Sequence, residues 1–208
     1  MSALRALIER SSAVAARAGP APAEAERCEL CAGPLPSEHR HVVDLRQRRL
    51  LCACRPCSLL FDRDAAGGGH YRLVPERCMR LDGFRLDDVQ WAALELPVAM
   101  AFFVRAGEDG RVTALYPSPA GVTESQLALE RWDELEAAHP ALAQMRPDVE
   151  ALLVDGVGEA REAWLVGVDA CYRLVALVRA NWRGFSGGEQ LRRALDGFFD
   201  DLRLRAER

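Results

Sequence analysis

Two Cys-x-x-Cys pairs are the residues of this sequence best suited to chemistry. Cys28 and Cys31 form the first pair, Cys54 and Cys57 form the second, and 22 residues separate them. Four thiolates close a tetrahedron around one divalent ion, with bonds of about 2.3 Å. The spacing therefore predicts a zinc ribbon that holds Zn2+. Because four sulfurs leave no open coordination position, such a site is structural and cannot activate a water molecule.

A further cysteine and two histidines lie between the pairs and leave alternatives open. Cys52 lies two residues before Cys54, so it either packs beside the second pair or joins the ligands. Thiolates also bind iron, and in that alternative the chain is a rubredoxin-like electron carrier. His39 and His41 alternate along a predicted strand. We expect them to be solvated and not to be ligands, because four cysteines already complete a zinc site.

Cysteine usage and the absence of long apolar runs predict the compartment. Five of the seven cysteines lie between residues 28 and 57, which in an intracellular chain is typical of metal binding and not of a disulfide framework. No apolar run reaches the roughly 20 residues of a membrane span, and charges interrupt the first 22 residues where a signal peptide would lie. We expect a cytoplasmic protein with no membrane span, in which Cys78 and Cys171 are buried, unreactive thiols.

The remaining motifs do not predict catalysis. No Ser-His-Asp, His-Glu-x-x-His or paired-carboxylate signature can be assembled from the sequence, so we expect a protein that is not an enzyme. Residues 184–189 allow two interpretations. Ser186 and Glu189 have the spacing of a helix capping box, whereas Gly187 and Gly188 could present bare amide groups to an anion. The capping box is the simpler interpretation, and we expect it here.

The charge distribution argues against a nucleic-acid partner. All 27 basic residues are arginine, and the formal net charge is −4. Residues 27–80 hold ten arginines and six acidic residues, whereas residues 81–208 hold 14 arginines and 22 acidic residues. Four thiolates around a divalent ion would lower the excess of positive charge in residues 27–80 by about two. Neither segment then has the strongly basic balance of a nucleic-acid-binding protein.

The elements that must position the cysteines follow from the pattern around them. Two short strands, at 41–45 and 49–54, connect the cysteine pairs, and a glycine-rich stretch at 65–69 follows. The chain thus divides into three predicted segments, namely an N-terminal helix and linker at 1–23, a zinc ribbon at 24–66 and an α+β domain at 67–208.

Within the third segment the hydrophobic periodicity predicts both strands and helices. In chain order they are a hairpin of strands at 98–105 and 112–116, a helix at 124–138, strands at 149–154 and 163–168, a helix capped by Asp169, and a final helix at 187–205. This order favours the α+β class, with a small antiparallel or mixed sheet that C-terminal helices cover on one face.

Three arginines near the second cysteine pair suggest where a partner protein would bind. Arg46 and Arg49 precede the pair, and Arg55 lies between its two cysteines. A metal holds such a loop rigidly, and a rigid guanidinium can bind a partner carboxylate with less loss of entropy. We predict that all three arginines belong to a protein-binding face, with solvated arginines as the open alternative.

Several stretches of the chain also resemble a known family. They are the first cysteine pair, the segment 50–61 around the second pair, and the segments 71–75, 171–175 and 182–188. Together, over roughly residues 25–205, they resemble an uncharacterised bacterial family that is abundant in actinobacteria and carries only a domain-of-unknown-function label. Genes of that family accompany those of nickel–iron hydrogenases and their maturation factors. The resemblance implies an accessory protein that binds a hydrogenase subunit or maturation factor, and it supplies no catalytic residue.

Overall fold

The fold was determined from a computed structural model of the chain. The structure describes residues 26–62, 66–84, 86, 88–93, 98–125, 129–156, 161–183 and 187–207. The helix predicted within residues 1–23 lies outside these residues. None of the helices described has the length and apolar character that a bilayer span requires.

Nine strands and five α-helices make up this part of the chain. The strands are β1 (Arg40–Asp44), β2 (Arg49–Ala53), β3 (Tyr71–Leu73), β4 (Cys78–Arg80), β5 (Met100–Arg105), β6 (Val112–Ser118), β7 (Gly121–Ser125), β8 (Glu150–Asp155) and β9 (Glu162–Gly167). The helices are α1 (Arg55–Leu60), α2 (Asp88–Ala93), α3 (Leu129–Ala138), α4 (Val168–Asn181) and α5 (Gly188–Ala206). Two 3-10 helices lie at Ala66–Gly69 and Pro140–Gln144. The composition is that of the predicted α+β class.

A three-stranded antiparallel sheet in the order β2-β1-β3 supports the cysteines. The two predicted strands are confirmed as β1 and β2. Side chains alternate between the faces of a strand, and Val42, Leu51 and Ala53 are buried on one face of this sheet. The third strand, β3, lies beyond residue 66, where the predicted zinc ribbon ends, yet it pairs with β1. We call the described part of residues 26–74 the cysteine module.

A second sheet of six antiparallel strands has the order β4-β9-β8-β5-β6-β7. It contains the predicted hairpin as β5 and β6 and the two later predicted strands as β8 and β9. The helix predicted at 124–138 is wrong at its start, because β7 occupies residues 121–125 and α3 begins at Leu129. Strand β6 continues through Pro117 into a tight turn, and Gly121, with a φ of 128°, allows the chain to return as an edge strand.

Helices and loops cover both faces of the six-stranded sheet, so the expectation of one covered face is wrong. All six residues of β8 are buried, because neither face of this central strand meets solvent. Helices α4 and α5 pack on one face, and α3 with the 3-10 helix after it packs on the other. Neighbouring residues of the same strands therefore enter different cores, with Phe102, Leu153 and Trp164 in the first and Phe103, Leu152 and Leu165 in the second.

Both C-terminal helices begin differently from the prediction. Helix α4 starts at Val168 with Gly167 as its N-cap, so Asp169 lies in the first turn and is not the cap. Helix α5 has Gly187, with a φ of 84°, as its N-cap, which forms no side-chain cap hydrogen bond with the described residues. The predicted capping box includes Ser186, which lies outside the described residues, and Glu189 forms an ion pair with Arg193.

Side chains connect the cysteine module to the larger sheet. Nη1 of Arg72, on β3, donates to Oδ2 of Asp148 at 2.8 Å. Nδ1 of His41, on β1, lies 3.1 Å from Oδ2 of Asp169, on α4. These pairs join residues far apart in the chain, and they fix the cysteine module against the start of α4.

Candidate metal centre

The structure brings together the sulfur atoms of Cys28, Cys31, Cys54 and Cys57. All four lie within 4.8 Å of one another. The Sγ atoms of Cys31 and Cys54 are 3.7 Å apart. Zinc–sulfur bonds of about 2.3 Å in a regular tetrahedron place neighbouring sulfurs about 3.8 Å apart. The spacing of the sulfur atoms therefore fits a single tetrahedral ion.

The first cysteine pair is held by a tight turn. The backbone N–H of Cys28 donates to the carbonyl of Gly33 at 2.8 Å, and that of Ala32 donates to the carbonyl of Cys28 at 2.7 Å. Ala32 has a φ of 59° within this turn. A Cβ atom at Gly33 would lie 3.3 Å from the sulfur of Cys31, which is closer than most such contacts. The absence of a side chain at Gly33 thus lets the loop fold tightly around the ligand.

The second pair lies at the start of a short helix. Cys54 is the N-cap of α1, and its carbonyl accepts a hydrogen bond from the backbone N–H of Ser58 at 2.9 Å. Pro56 favours this helix start because it lacks an N–H group and its φ is already helical. The helix places Cys57 one turn into α1, where its sulfur faces that of Cys54.

Glu29 docks the first turn onto strand β2. Its backbone N–H donates to the carbonyl of Cys52 at 2.9 Å, and its Oε2 accepts from the backbone N–H of Cys52 at 2.7 Å. Its Oε1 lies 2.7 Å from Nη2 of Arg49. Since Cys54 directly follows this strand, the contacts of Glu29 bring the two cysteine pairs into register.

The electrostatics of the cluster favour a cation. Burial acts to raise the pKa of the Cys28 thiol, but backbone N–H groups, first among them that of Cys54, donate to its sulfur and lower this pKa to about 6. Burial and the neighbouring cysteine side chains raise the pKa of Cys57 to about 12. Without a metal, therefore, the Cys57 thiol resists the loss of its proton. A bound divalent cation stabilises all four thiolates together.

Cys52, His39 and His41 form a separate group. One ligand atom from each lies within 4.8 Å of the other two, and Cys52 does not join the four-sulfur cluster. The expectation of solvated histidines is wrong. The side chain of His39 is only 8% exposed, and His41 bonds to Asp169. In register, His41 lies directly opposite Cys52, which places both side chains on one face of the sheet.

The structure separates the three arginines of the predicted partner-binding face. Arg46 lies in the turn after β1, and Arg49 begins β2 at the same end of the sheet. Arg55 begins α1 beyond the other end of β2. At about 3.4 Å per residue, the length of this strand separates it from Arg49 by roughly 14 Å. Sequence reasoning missed Leu59 and Leu60, each 65% exposed on α1 beside Arg55. The two adjacent leucines after the second cysteine pair are the sequence feature that could have indicated this exposed apolar surface.

The other sequence candidates lie apart from the metal centre. Cys171, on α4, is completely buried, and this burial raises the pKa of its thiol well above the ordinary value. Cys78 is half-buried, and its sulfur donates to the carbonyl of Leu202 at 3.5 Å. Of residues 184–189, only Gly187, Gly188 and Glu189 belong to the part of the chain that the structure describes. The capping box stays the prediction for this loop, with anion binding as its alternative.

The chain was compared with family models, with curated proteins and with solved structures, and one of these comparisons gave a match. A family model described as a family of unknown function, DUF5947, matches residues 27–206. The match includes both cysteine pairs, the separate histidine–cysteine group and the six-stranded sheet. No curated protein and no solved structure matches the chain.

Proposed function

The chain belongs to the DUF5947 family of unknown function, and we propose that it is a non-enzymatic accessory protein that binds another protein. In this proposal the four cysteines hold Zn2+, which fixes the fold of the cysteine module. The bound partner is a subunit or maturation factor of a nickel–iron hydrogenase. The hydrogenase connection rests on the resemblance described from the sequence, whereas the binding role rests on the geometry of the cysteine module.

The observation that carries the proposal is the closed set of four sulfurs beside an exposed apolar surface. A tetrahedral ion bound by four thiolates has no open position for a substrate, so it serves to hold the chain in place. The segment held in place is α1, because Cys54 is its N-cap and Cys57 lies in its first turn. Leu59 and Leu60 on this helix are among the most exposed large apolar residues described.

Charge suggests the character of the partner surface. Arg55 is exposed at the start of α1, next to the exposed leucines. Arg49 already pairs with Glu29, so it is less available to a partner than Arg55 is. We expect a partner that presents an apolar patch edged by carboxylates. Apolar anchors supply most of the affinity of such interfaces, while an arginine at the edge directs the orientation.

A pull-down from the native host tests this proposal. The full chain, loaded with zinc, is expected to retain hydrogenase subunits or maturation factors. A Leu59→Ser/Leu60→Ser variant should lose most of this retention, because it removes the apolar anchors without touching a sulfur. The double reversal Arg46→Glu/Arg55→Glu should weaken retention and its sensitivity to salt.

Zinc content and a distant reversal serve as controls. Arg111→Glu reverses an exposed arginine in the turn before β6 and should bind like the original chain. Every variant should retain its zinc. Retention of the same proteins by the leucine variant, with zinc intact, would contradict a binding role for α1. Failure of the original chain to retain any hydrogenase protein would contradict the proposed partner.

An electron carrier with iron in the same site is the alternative function. The observation that favours it is that Cys31 is exposed, so that one edge of the sulfur cluster faces solvent, as electron transfer requires. Iron bound by four thiolates absorbs visible light, whereas zinc does not. A visible spectrum of the protein therefore separates the two functions.

A further inference from the structure

The group formed by His39, His41 and Cys52 has the features of a second metal site. His39 precedes β1, His41 lies on β1, and Cys52 lies opposite His41 on β2. The ligand atoms lie within 4.8 Å of one another, and the imidazole rings are 4.9 Å apart between centroids. Imidazole nitrogen and thiolate sulfur are the donors that Zn2+ and similar divalent transition-metal ions prefer.

His39 presents a nitrogen that needs a partner. Its Nδ1 lies 3.1 Å from the carbonyl oxygen of Pro36 and 3.8 Å from a carboxylate oxygen of Glu26. Both oxygens accept, so the neutral imidazole carries its proton on Nδ1 and its lone pair on Nε2. That Nε2 atom is buried and has no hydrogen-bond partner among the residues that the structure describes. Because a buried polar atom without a partner is destabilising, a metal bound at Nε2 would remove the penalty.

His41 is oriented in the same way by a different acceptor. Its Nδ1 lies 3.1 Å from Oδ2 of Asp169. This carboxylate oxygen accepts a hydrogen bond from Nδ1–H, so the neutral ring has its lone pair on Nε2. Histidines that bind metals usually donate their other ring N–H to a carboxylate or a carbonyl, which fixes the ring and raises its basicity. His41 has the carboxylate of Asp169 in this role, and His39 has the carbonyl of Pro36.

We propose that Nε2 of His39, Nε2 of His41 and Sγ of Cys52 bind a second divalent ion of the Zn2+ type. Bonds of about 2.0–2.3 Å require ligand atoms roughly 3.3–3.8 Å apart, so the three side chains would move closer together as the ion binds. Three protein ligands leave one position of a tetrahedral ion open. The second site therefore differs from the four-sulfur site in that it accepts an exchangeable fourth ligand, such as water.

Zinc stoichiometry tests the proposal on the full chain. Reduced protein is loaded anaerobically with excess ZnCl2, freed of unbound zinc by gel filtration, and analysed by mass spectrometry for zinc per chain. We expect two ions in the original chain and one in Cys52→Ser, since serine replaces the thiolate with a poor ligand of similar size. His70→Ala, which removes a histidine of the cysteine module outside the group, should keep two.

A second measurement follows the histidine nitrogens directly. Long-range 1H–15N spectra separate a free ring nitrogen from a metal-bound one. The second equivalent of zinc should shift Nε2 of both His39 and His41 in the original chain, and it should shift neither in Cys52→Ser. The same number of ions in the original chain and in Cys52→Ser would overturn the proposal, as would unshifted Nε2 signals at two equivalents.

The outcome is independent of the function proposed above. If the second site fails, the original chain still binds one zinc through the four cysteines, and the pull-down is unaffected. If the four cysteines bind no zinc, Cys57→Ser has the same zinc content as the original chain, while Cys52→Ser loses one ion. Circular dichroism of each variant shows whether a lost ion reflects a lost ligand or a lost fold.

Discussion

Replacing Cys57 by serine should unfold the cysteine module and leave the six-stranded sheet intact. The substitution removes one of four ligands, and binding of a structural zinc contributes on the order of 10 kcal/mol or more to the folding of a small module. The large aliphatic residues buried in this module are Val42, Leu51 and Val74. At about 1.5–3 kcal/mol each, they contribute together roughly 5–9 kcal/mol. This contribution is smaller than that of the metal, so the module should not survive its loss.

Two signals separate the parts of the molecule in this test. All four tryptophans lie outside the cysteine module, at residues 91, 132, 164 and 182, so their fluorescence reports the larger sheet and its helices. Amide hydrogen exchange in β1 and β2 reports the module itself. We expect Cys57→Ser to lose zinc and amide protection in β1 and β2 while its tryptophan fluorescence stays unchanged.

Cys78→Ser is the matched control for this prediction. Cys78 lies on β4, outside the module, so the substitution should keep the zinc and the protection of β1 and β2. If β1 and β2 stay protected in Cys57→Ser after its zinc is lost, the packing of the module is sufficient without a metal. The reasoning from metal-dependent folding would then be refuted.

Three further predictions concern the larger part of the fold. Leu174→Ala removes most of a fully buried side chain on α4 and should lower the free energy of unfolding by about 3 kcal/mol. We expect the Tm to fall by roughly 6–12 °C, and an unchanged Tm would contradict the described packing. Cys171 should resist iodoacetamide until denaturant is added, because burial raises its pKa and blocks access; mass spectrometry showing native modification would contradict its burial. Gly167→Ala should lower stability to chemical denaturation by about 1–3 kcal/mol, since the new Cβ would lie 2.5 Å from the carbonyl oxygen of Pro75 and 2.8 Å from Val74 Cγ1; an unchanged midpoint would show that the backbone relaxes freely.

Regular local patterns explain which elements could be predicted from the sequence. Strands β5, β6, β8 and β9 are runs of apolar and β-branched residues bounded by turns, and each was predicted within about two residues of its bounds. Strands β3 and β4 contain only three residues each, so periodicity is too short to show them. Strand β7 contains a glycine and alternating polar residues, and its pairing with β6 depends on a turn that local propensity does not reveal.

The two groups of ligands differ in how visible they are in the sequence. The four cysteines come from two identical short motifs, so their spacing alone predicts a shared ion. The group of His39, His41 and Cys52 depends on the register between β1 and β2, which no motif encodes. The contact between His41 and Asp169 spans 128 residues of the chain. Only the folded arrangement shows that His39 is buried with an unpartnered nitrogen.

Metal analysis with an absorption spectrum tests the central claim most directly. The full chain is purified anaerobically without added metal, and its metal content is measured alongside its visible absorbance. A zinc site formed by Cys28, Cys31, Cys54 and Cys57 predicts bound zinc and a colourless protein. Iron at one ion per chain, with the visible thiolate-to-iron bands of a red or brown protein, would contradict the structural zinc site and support the electron carrier.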